Sequence, residues 1–115
     1  MKALSIRQPY ASEIASGEKT EEYRSRRTHF RGPLLVCSTK APDEGGEGMP
    51  CGVTICTVDL VDCIPDGSGG WAWVLENPRP VEPRPIKGVL GFYEVDDSEV
   101  VQVSAPKTKK ASRKR

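Results

Sequence analysis

Eleven glycines and ten prolines break the 115-residue chain into short stretches, and this punctuation decides most of what it can fold into. Proline lacks an amide donor and fixes φ, while glycine weakens the interior of a helix or strand, so long regular elements are excluded where the two recur. One helical segment fits near the start. Pro9 supplies the φ of a first turn, Tyr10, Ala11, Ile14 and Ala15 follow at helical spacing, and Gly17 closes the segment as a C-terminal cap. That helix is about two turns long.

The remaining periodicity is that of strands. Lys2 to Ile6 reads as a short strand, Thr20 to Arg24 as an extended segment, and Leu34 to Ser38 as a continuous apolar run suited to a buried strand. Gly52 to Pro65 is the longest strand candidate, and its apolar phase shifts near Asp59, which predicts a bulge. Trp71 to Leu75 alternates after the turn Asp66-Gly67-Ser68-Gly69-Gly70, and Asn77-Pro78-Arg79-Pro80 is expected to stop it. Val81 to Pro85 should run extended at a sheet edge, where proline is tolerated, and Val89 to Val95 should be a closing strand. Residues 41 to 52 read as a mobile glycine-rich connector. About six short strands with one helix and no βαβ alternation predict an α+β, mainly β fold, a small barrel whose closure removes exposed edges.

Charge divides the chain further. The net charge of +1 is a cancellation: residues 1 to 40 hold 8 Lys/Arg against 4 Glu, residues 41 to 103 hold 3 against 12 Asp/Glu, and residues 104 to 115 hold 6 against none. The expected organisation is a barrel domain over residues 1–103 and a disordered basic tail over 104–115. Such a tail attracts polyphosphate by counterion release, or serves solubility alone. Without it the body carries 11 Lys/Arg against 16 Asp/Glu, so any affinity for an anion must come from a local basic cleft. No apolar run approaches the ~18 residues of a membrane span. The opening Met-Lys-Ala-Leu-Ser-Ile-Arg is too polar for a secretory signal, which makes a cytoplasmic location the expectation.

Cys37, Cys51, Cys56 and Cys63 contain no C-x-x-C pair and read as free structural thiols, so neither a metal nor another cofactor is expected. The single histidine, His29, precedes the turn signal Gly32-Pro33 and reads as a loop residue. Three clusters remain as carriers of chemistry. In the first, Arg7 offers a planar fork for phosphate or carboxylate, Gln8 can donate and accept against a base edge, Tyr10 can stack, and the helix amides after Pro9 add positive potential. The competing assignment places Arg7 in an internal ion pair and Tyr10 in the core. In the second, an extended Thr20 to Arg24 puts Glu22 and Arg24 on one face and Glu21 and Tyr23 on the other, beside the basic loop Arg24, Arg26, Arg27 and Arg31. Lys19 beside Glu22 suits either proton transfer or a plain ion pair. In the third, Trp71 and Trp73 share a strand face near Asn77 and Arg79, with Trp73 expected inside and Trp71 nearer the surface.

Taken in order, four segments resemble the ASCH domain family, small β-barrels related in fold to PUA RNA-binding domains. They are Leu4-Ser5-Ile6-Arg7-Gln8-Pro9-Tyr10-Ala11, Gly17-Glu18-Lys19-Thr20-Glu21-Glu22-Tyr23-Arg24, Arg31-Gly32-Pro33-Leu34-Leu35-Val36, and the late Trp73, Asn77-Pro78 and Lys87-Gly88-Val89-Leu90-Gly91-Phe92. The resemblance implies a PUA-like barrel with a cleft beside the first helix that binds RNA or a nucleotide-like ligand. Arg7, Lys19, Arg24 and Arg26 would then hold phosphate, Gln8 and Glu22 would read a base or nucleoside edge, and Tyr10 would stack. The alternative is a small enzyme with Lys19 and Glu22 as catalytic residues. Some ASCH-like proteins are described as ribonucleases, and Lys19, Tyr10 and Arg24 would suit phosphate charge there. Others are described as amidohydrolases of acetylated cytidine that use a Lys, a Thr three residues later and a distant Glu. Lys19 matches the Lys, but Glu22 stands where the Thr would be, Thr20 is adjacent instead, and Glu76 corresponds to the distant Glu by strand order alone. That departure removes the hydroxyl nucleophile. A third possibility, of another class, is an adaptor whose acidic segment 41–103 meets a basic partner.

Overall fold

The computed structural model describes residues 1–103; the expected basic tail lies outside the described residues. The elements run β1 (Lys2–Ile6), α1 (Tyr10–Ser16), β2 (Glu21–Arg24), β3 (Gly32–Ser38), β4 (Thr54–Pro65), β5 (Trp71–Pro80) and β6 (Tyr93–Glu94), followed by a short 3-10 turn at Asp97–Glu99. The six strands form one sheet in the order β2-β5-β4-β3-β1-β6, curled into a half-barrel. Only β1 and β3 pair in parallel, since α1 and β2 intervene between them and supply the crossover.

The continuous apolar run predicted the most buried strand. Residues 34–38 of β3 are buried on both faces because alternate side chains enter different cores. Leu34 and Val36 join Leu4, Ile6, Val58 and Leu60 under α1, while Leu35 and Cys37 join Ala3, Val81 and Val95 on the opposite side. Helix α1 plugs the concave face with Ala11 and Ile14, and Gly17, at φ 85°, ends it by donating its N–H to the Ile14 carbonyl at 3.1 Å.

Two register shifts in β4–β5 pairing, between Thr57 and Asp59 and between Leu60 and Asp62, bear out the bulge read from the apolar phase. Other expectations need correction. β5 does not stop at Asn77 but continues to Pro80. Its strand partner β2 reaches only as far as Val74, with one further bond from Leu75 N to the Thr20 carbonyl, so no strand pairs the outer edge at Asn77 and Pro78, and there a missing proline donor costs no ladder bond. Asn77, at φ 58°, absorbs the bulge. The closing strand is also shorter than expected, with only Tyr93 and Glu94 pairing to Ala3 and Lys2. Residues 86–92 form an irregular strap instead, because Gly91 sits at φ 76° and Gly88 lies so close to Ser5 that an added Cβ would fall 2.4 Å from its Oγ.

Backbone pairing therefore leaves a seam between β2 and β6, and side chains cross it. Arg24 on β2 donates to the Ser5 carbonyl on β1 at 3.2 Å. Phe92 stacks on Trp73 of β5 with ring centroids 5.4 Å apart and meets Phe30 edge-on at 5.7 Å.

The 41–52 connector is pinned rather than loose. Gln8 donates from Nε2 to the Pro50 carbonyl at 2.9 Å, and its own carbonyl accepts from Asp43 N at 2.7 Å. Gly46 packs so tightly on this turn that a Cβ would lie 2.4 Å from the Gln8 backbone. Backbone cannot yield as a flexible side chain would. Gly46→Ala is therefore expected to lower stability by about 1–3 kcal/mol, the usual cost of overpacking, as a reduced urea midpoint at unchanged m-value.

Candidate functional site

Residues of β2 alternate across the sheet, and this creates the first cluster. Glu22 and Arg24 share a face, where Arg24 Nε lies 3.1 Å from Glu22 Oε2. The other Glu22 oxygen is 3.7 Å from Lys19 Nζ, with both side chains largely buried. Lys19 also lies 4.9 Å from the Tyr23 ring centre and 5.7 Å from that of Tyr10. On the opposite face Tyr23 donates its hydroxyl to Glu21 at 2.7 Å. The structure thus joins Lys19, Glu22 and Arg24 in one chain of charge, with Tyr10 beside it. A shallow cavity of about 350 Å³ next to α1 is lined by Tyr10, Lys19 and Tyr23 together with Glu13, Glu18 and Glu21. Three carboxylates against one ammonium make that cleft unfavourable for an anion.

The Arg7–Tyr10 segment divides. Arg7 is exposed, forms no ion pair among the described residues and lines none of the three cavities described here. Tyr10 is 39% exposed, which places it outside the core. Gln8 is fully buried, and its side-chain oxygen accepts from Ser12 N at 2.9 Å while its nitrogen holds Pro50. The helix amides expected to attract an anion are engaged internally, Ala11 N on the Arg7 carbonyl, Ser12 N on Gln8 and Glu13 N on the Pro9 carbonyl.

The larger concavity is the seam itself. A cavity of about 640 Å³ is floored by Leu4, Trp73 and Phe92 and rimmed by Arg24, Arg26, Arg27 and His29. Trp73 builds its wall by donating Nε1 to the Arg26 carbonyl at 3.0 Å, which fixes the loop after β2. Arg27 lies 5.3 Å over the Trp71 ring, and the tryptophans divide as expected, Trp73 buried and Trp71 partly exposed. Beyond Arg24 and the strap residues Leu90 and Gly91, shared by both, a second chamber of about 350 Å³ contains Ser5, Lys40 and Lys87. Among the described residues, neither chamber is lined by Asp or Glu. Arg27 was legible in the sequence as part of the basic loop; Lys40, Lys87 and Phe92 were not legible as site residues, since only the curl of the sheet brings their segments to β2.

A curled half-barrel with one helix inside its concave face and a cleft along its open seam defines a PUA-like domain. The ASCH domain family model matches residues 4–97, and the chain belongs to that family. Crystal structures of ASCH from Zymomonas mobilis share the fold. The protein itself superposes with a TM-score of 0.64 at 15% identity, over 85% of this chain and 89% of that one. Two of its mutants give TM-scores of 0.63 and 0.61 at 14% identity, each over 85% of this chain and over 91% and 89% of theirs. No curated protein matches the sequence. Among the described residues no helix is long and apolar enough to cross a membrane.

Beneath the second chamber, Ser5 Oγ and the Tyr93 hydroxyl share a 2.7 Å hydrogen bond. Burial pushes the Tyr93 phenol up, and its hydrogen bond with Cys37 adds to the rise. Burial likewise raises Cys37, and it pushes Cys56 up to about 12. A raised thiol pKa keeps the sulfur protonated and unreactive across the neutral range. Cys37, Cys56 and Cys63 are buried, and Cys51 is partly exposed. Titration of the native protein with a thiol reagent at pH 8 is expected to modify one cysteine quickly, removed by Cys51→Ser, and all four only after denaturation.

Proposed function

We propose that this ASCH domain binds RNA or a nucleotide-like anion in the seam cleft. One observation carries the reading: a concavity rimmed by Arg24, Arg26 and Arg27 and lined by no described carboxylate, in a body of 11 Lys/Arg against 16 Asp/Glu. A local cluster of this kind, and not bulk charge, attracts phosphate to such a body. Arg26 and Arg27 hold phosphate at the rim, while the apolar floor of Leu4, Trp73 and Phe92 receives a base or sugar. Lys19 and Glu22 serve by fixing Arg24, Gln8 by fixing the turn before α1, and Tyr10 and Arg7 lie outside the cleft. The family membership supports nucleic-acid-type binding in general.

A second reading, a small ribonuclease or nucleoside hydrolase, is favoured by the largely buried contact of Lys19 with Glu22. The binding reading expects no turnover of RNA or acetylated cytidine by the wild-type chain; turnover abolished in Lys19→Ala would establish the enzyme instead. For binding, titration with short RNAs should show affinity at low salt that falls as salt rises. Arg26→Ala with Arg27→Ala should weaken it about tenfold or more, since each charge-assisted contact contributes about 1.5–3 kcal/mol. Removal of residues 104–115 should flatten the salt slope. Absence of binding at low salt overturns the reading.

A further inference from the structure

The proposed ligand cleft has two chambers, one with aromatic lining and one without, that share Arg24 and the strap residues Leu90 and Gly91. The first is floored by Leu4, Trp73 and Phe92, surfaces suited to the faces of a base. The second has no aromatic lining residue; Ile86 and Val89 line part of it, the Ser38 and Thr39 hydroxyls donate to the Val53 and Ala41 carbonyls, and the ammonium groups of Lys40 and Lys87 supply its cations. Two ammonium groups without a described carboxylate beside them suit an anionic group such as a phosphate. Their volumes, about 640 and 350 Å³, are each within the range of small-molecule sites.

Arg24 belongs to both chambers, and its guanidinium is fixed in place. Nε is held by Glu22 at 3.1 Å and Nη2 by the Ser5 carbonyl at 3.2 Å, while the group lies 5.8 Å from the Trp73 ring centre. Fixing both nitrogens before a ligand arrives removes the entropy that a free arginine would lose on binding. The strap residues Leu90 and Gly91 also contribute to both chambers, so the two spaces adjoin along one seam.

We propose that the ligand of this cleft is a strand of at least two nucleotides, with one base against Trp73 and Phe92 and the adjacent phosphate in the Ser5–Lys40–Lys87 chamber. Arg24 lies between them. The inference rests on the seam being the binding site, and it adds a second phosphate subsite formed by Lys40 and Lys87. The helix-side cavity does not serve this role, because Glu13, Glu18 and Glu21 line it.

Quenching of Trp71 and Trp73 fluorescence by uridine 5′-monophosphate and by the 5′-phosphorylated uridine dinucleotide and trinucleotide, which carry one, two and three phosphates, tests this in the full chain. The wild type should bind the dinucleotide about tenfold or more tightly than the mononucleotide, the increment of one charge-assisted contact. In the double variant Lys40→Ala, Lys87→Ala the mononucleotide should bind as in wild type, and the gain with length should disappear. Both lysines are exposed, so the fold is not at risk, and the tail is present in both proteins. Mononucleotide binding with no gain in wild type, or a gain that survives the double substitution, overturns the second subsite and leaves the seam reading standing. No binding of any of the three at low salt overturns both.

Discussion

The contact on which the rest of the site depends is the bracing of Arg24. A partly buried guanidinium is costly to hold unless its nitrogens are paired, and here a carboxylate and a backbone carbonyl pair two of them. The carboxylate is Glu22, two residues away on the same strand face, and Lys19 faces its other oxygen. The carbonyl belongs to Ser5 on β1, across the seam from β2. One side chain thus joins the two ends of a sheet that the backbone ladder leaves apart, and it is also the wall common to both chambers. Closure of the seam and the shape of the cleft are set by the same group.

An open seam explains why the cleft can be basic in an acidic body. The strands of the sheet bring the residues of 41–103 together, and those carry 12 Asp/Glu against 3 Lys/Arg. Of those three cations only Lys87, on the strap, lines the cleft; its remaining cations come from Arg24 on β2, from the loop after it and from Lys40 after β3, places that the curl of the sheet draws to one edge. Field from a cluster in a concave, low-dielectric setting acts over about a Debye length, some 8–10 Å at moderate salt, so carboxylates beyond that distance do little to cancel it.

Most of the fold was legible because its signals are local. The helix follows from Pro9, Ile14 and Gly17, the doubly buried β3 from the run Leu34 to Ser38, and the bulge in β4 from a change of apolar phase at Asp59. What misled were signals whose meaning depends on a neighbour. Asn77-Pro78 stops a central strand but not one with a free edge, and the alternation in Val89 to Val95 is overridden by Gly88 pressed against Ser5. The polar, glycine-rich look of 41–52 gave no hint that Gly46 is the only size of residue that lets the loop seat on the Gln8 turn.

The site was legible in part for the same reason. Lys19, Glu22 and Arg24 are close in sequence, so strand alternation brings two of them together and the approach to the strand brings the third. Gln8 shows the opposite case. As a polar residue beside Arg7 it looks like a reader of base edges, yet full burial with its oxygen on Ser12 N and its nitrogen on the Pro50 carbonyl commits both ends of the amide to the protein. A buried amide left without partners would cost about 1–3 kcal/mol, which makes its internal bonds the condition of its burial. On the proposed reading, recognition therefore falls to groups on the strap, on the loop after β2 and at Lys40, because the Gln8 amide and the first amides of α1 are committed to holding the helix and the 41–52 loop in place.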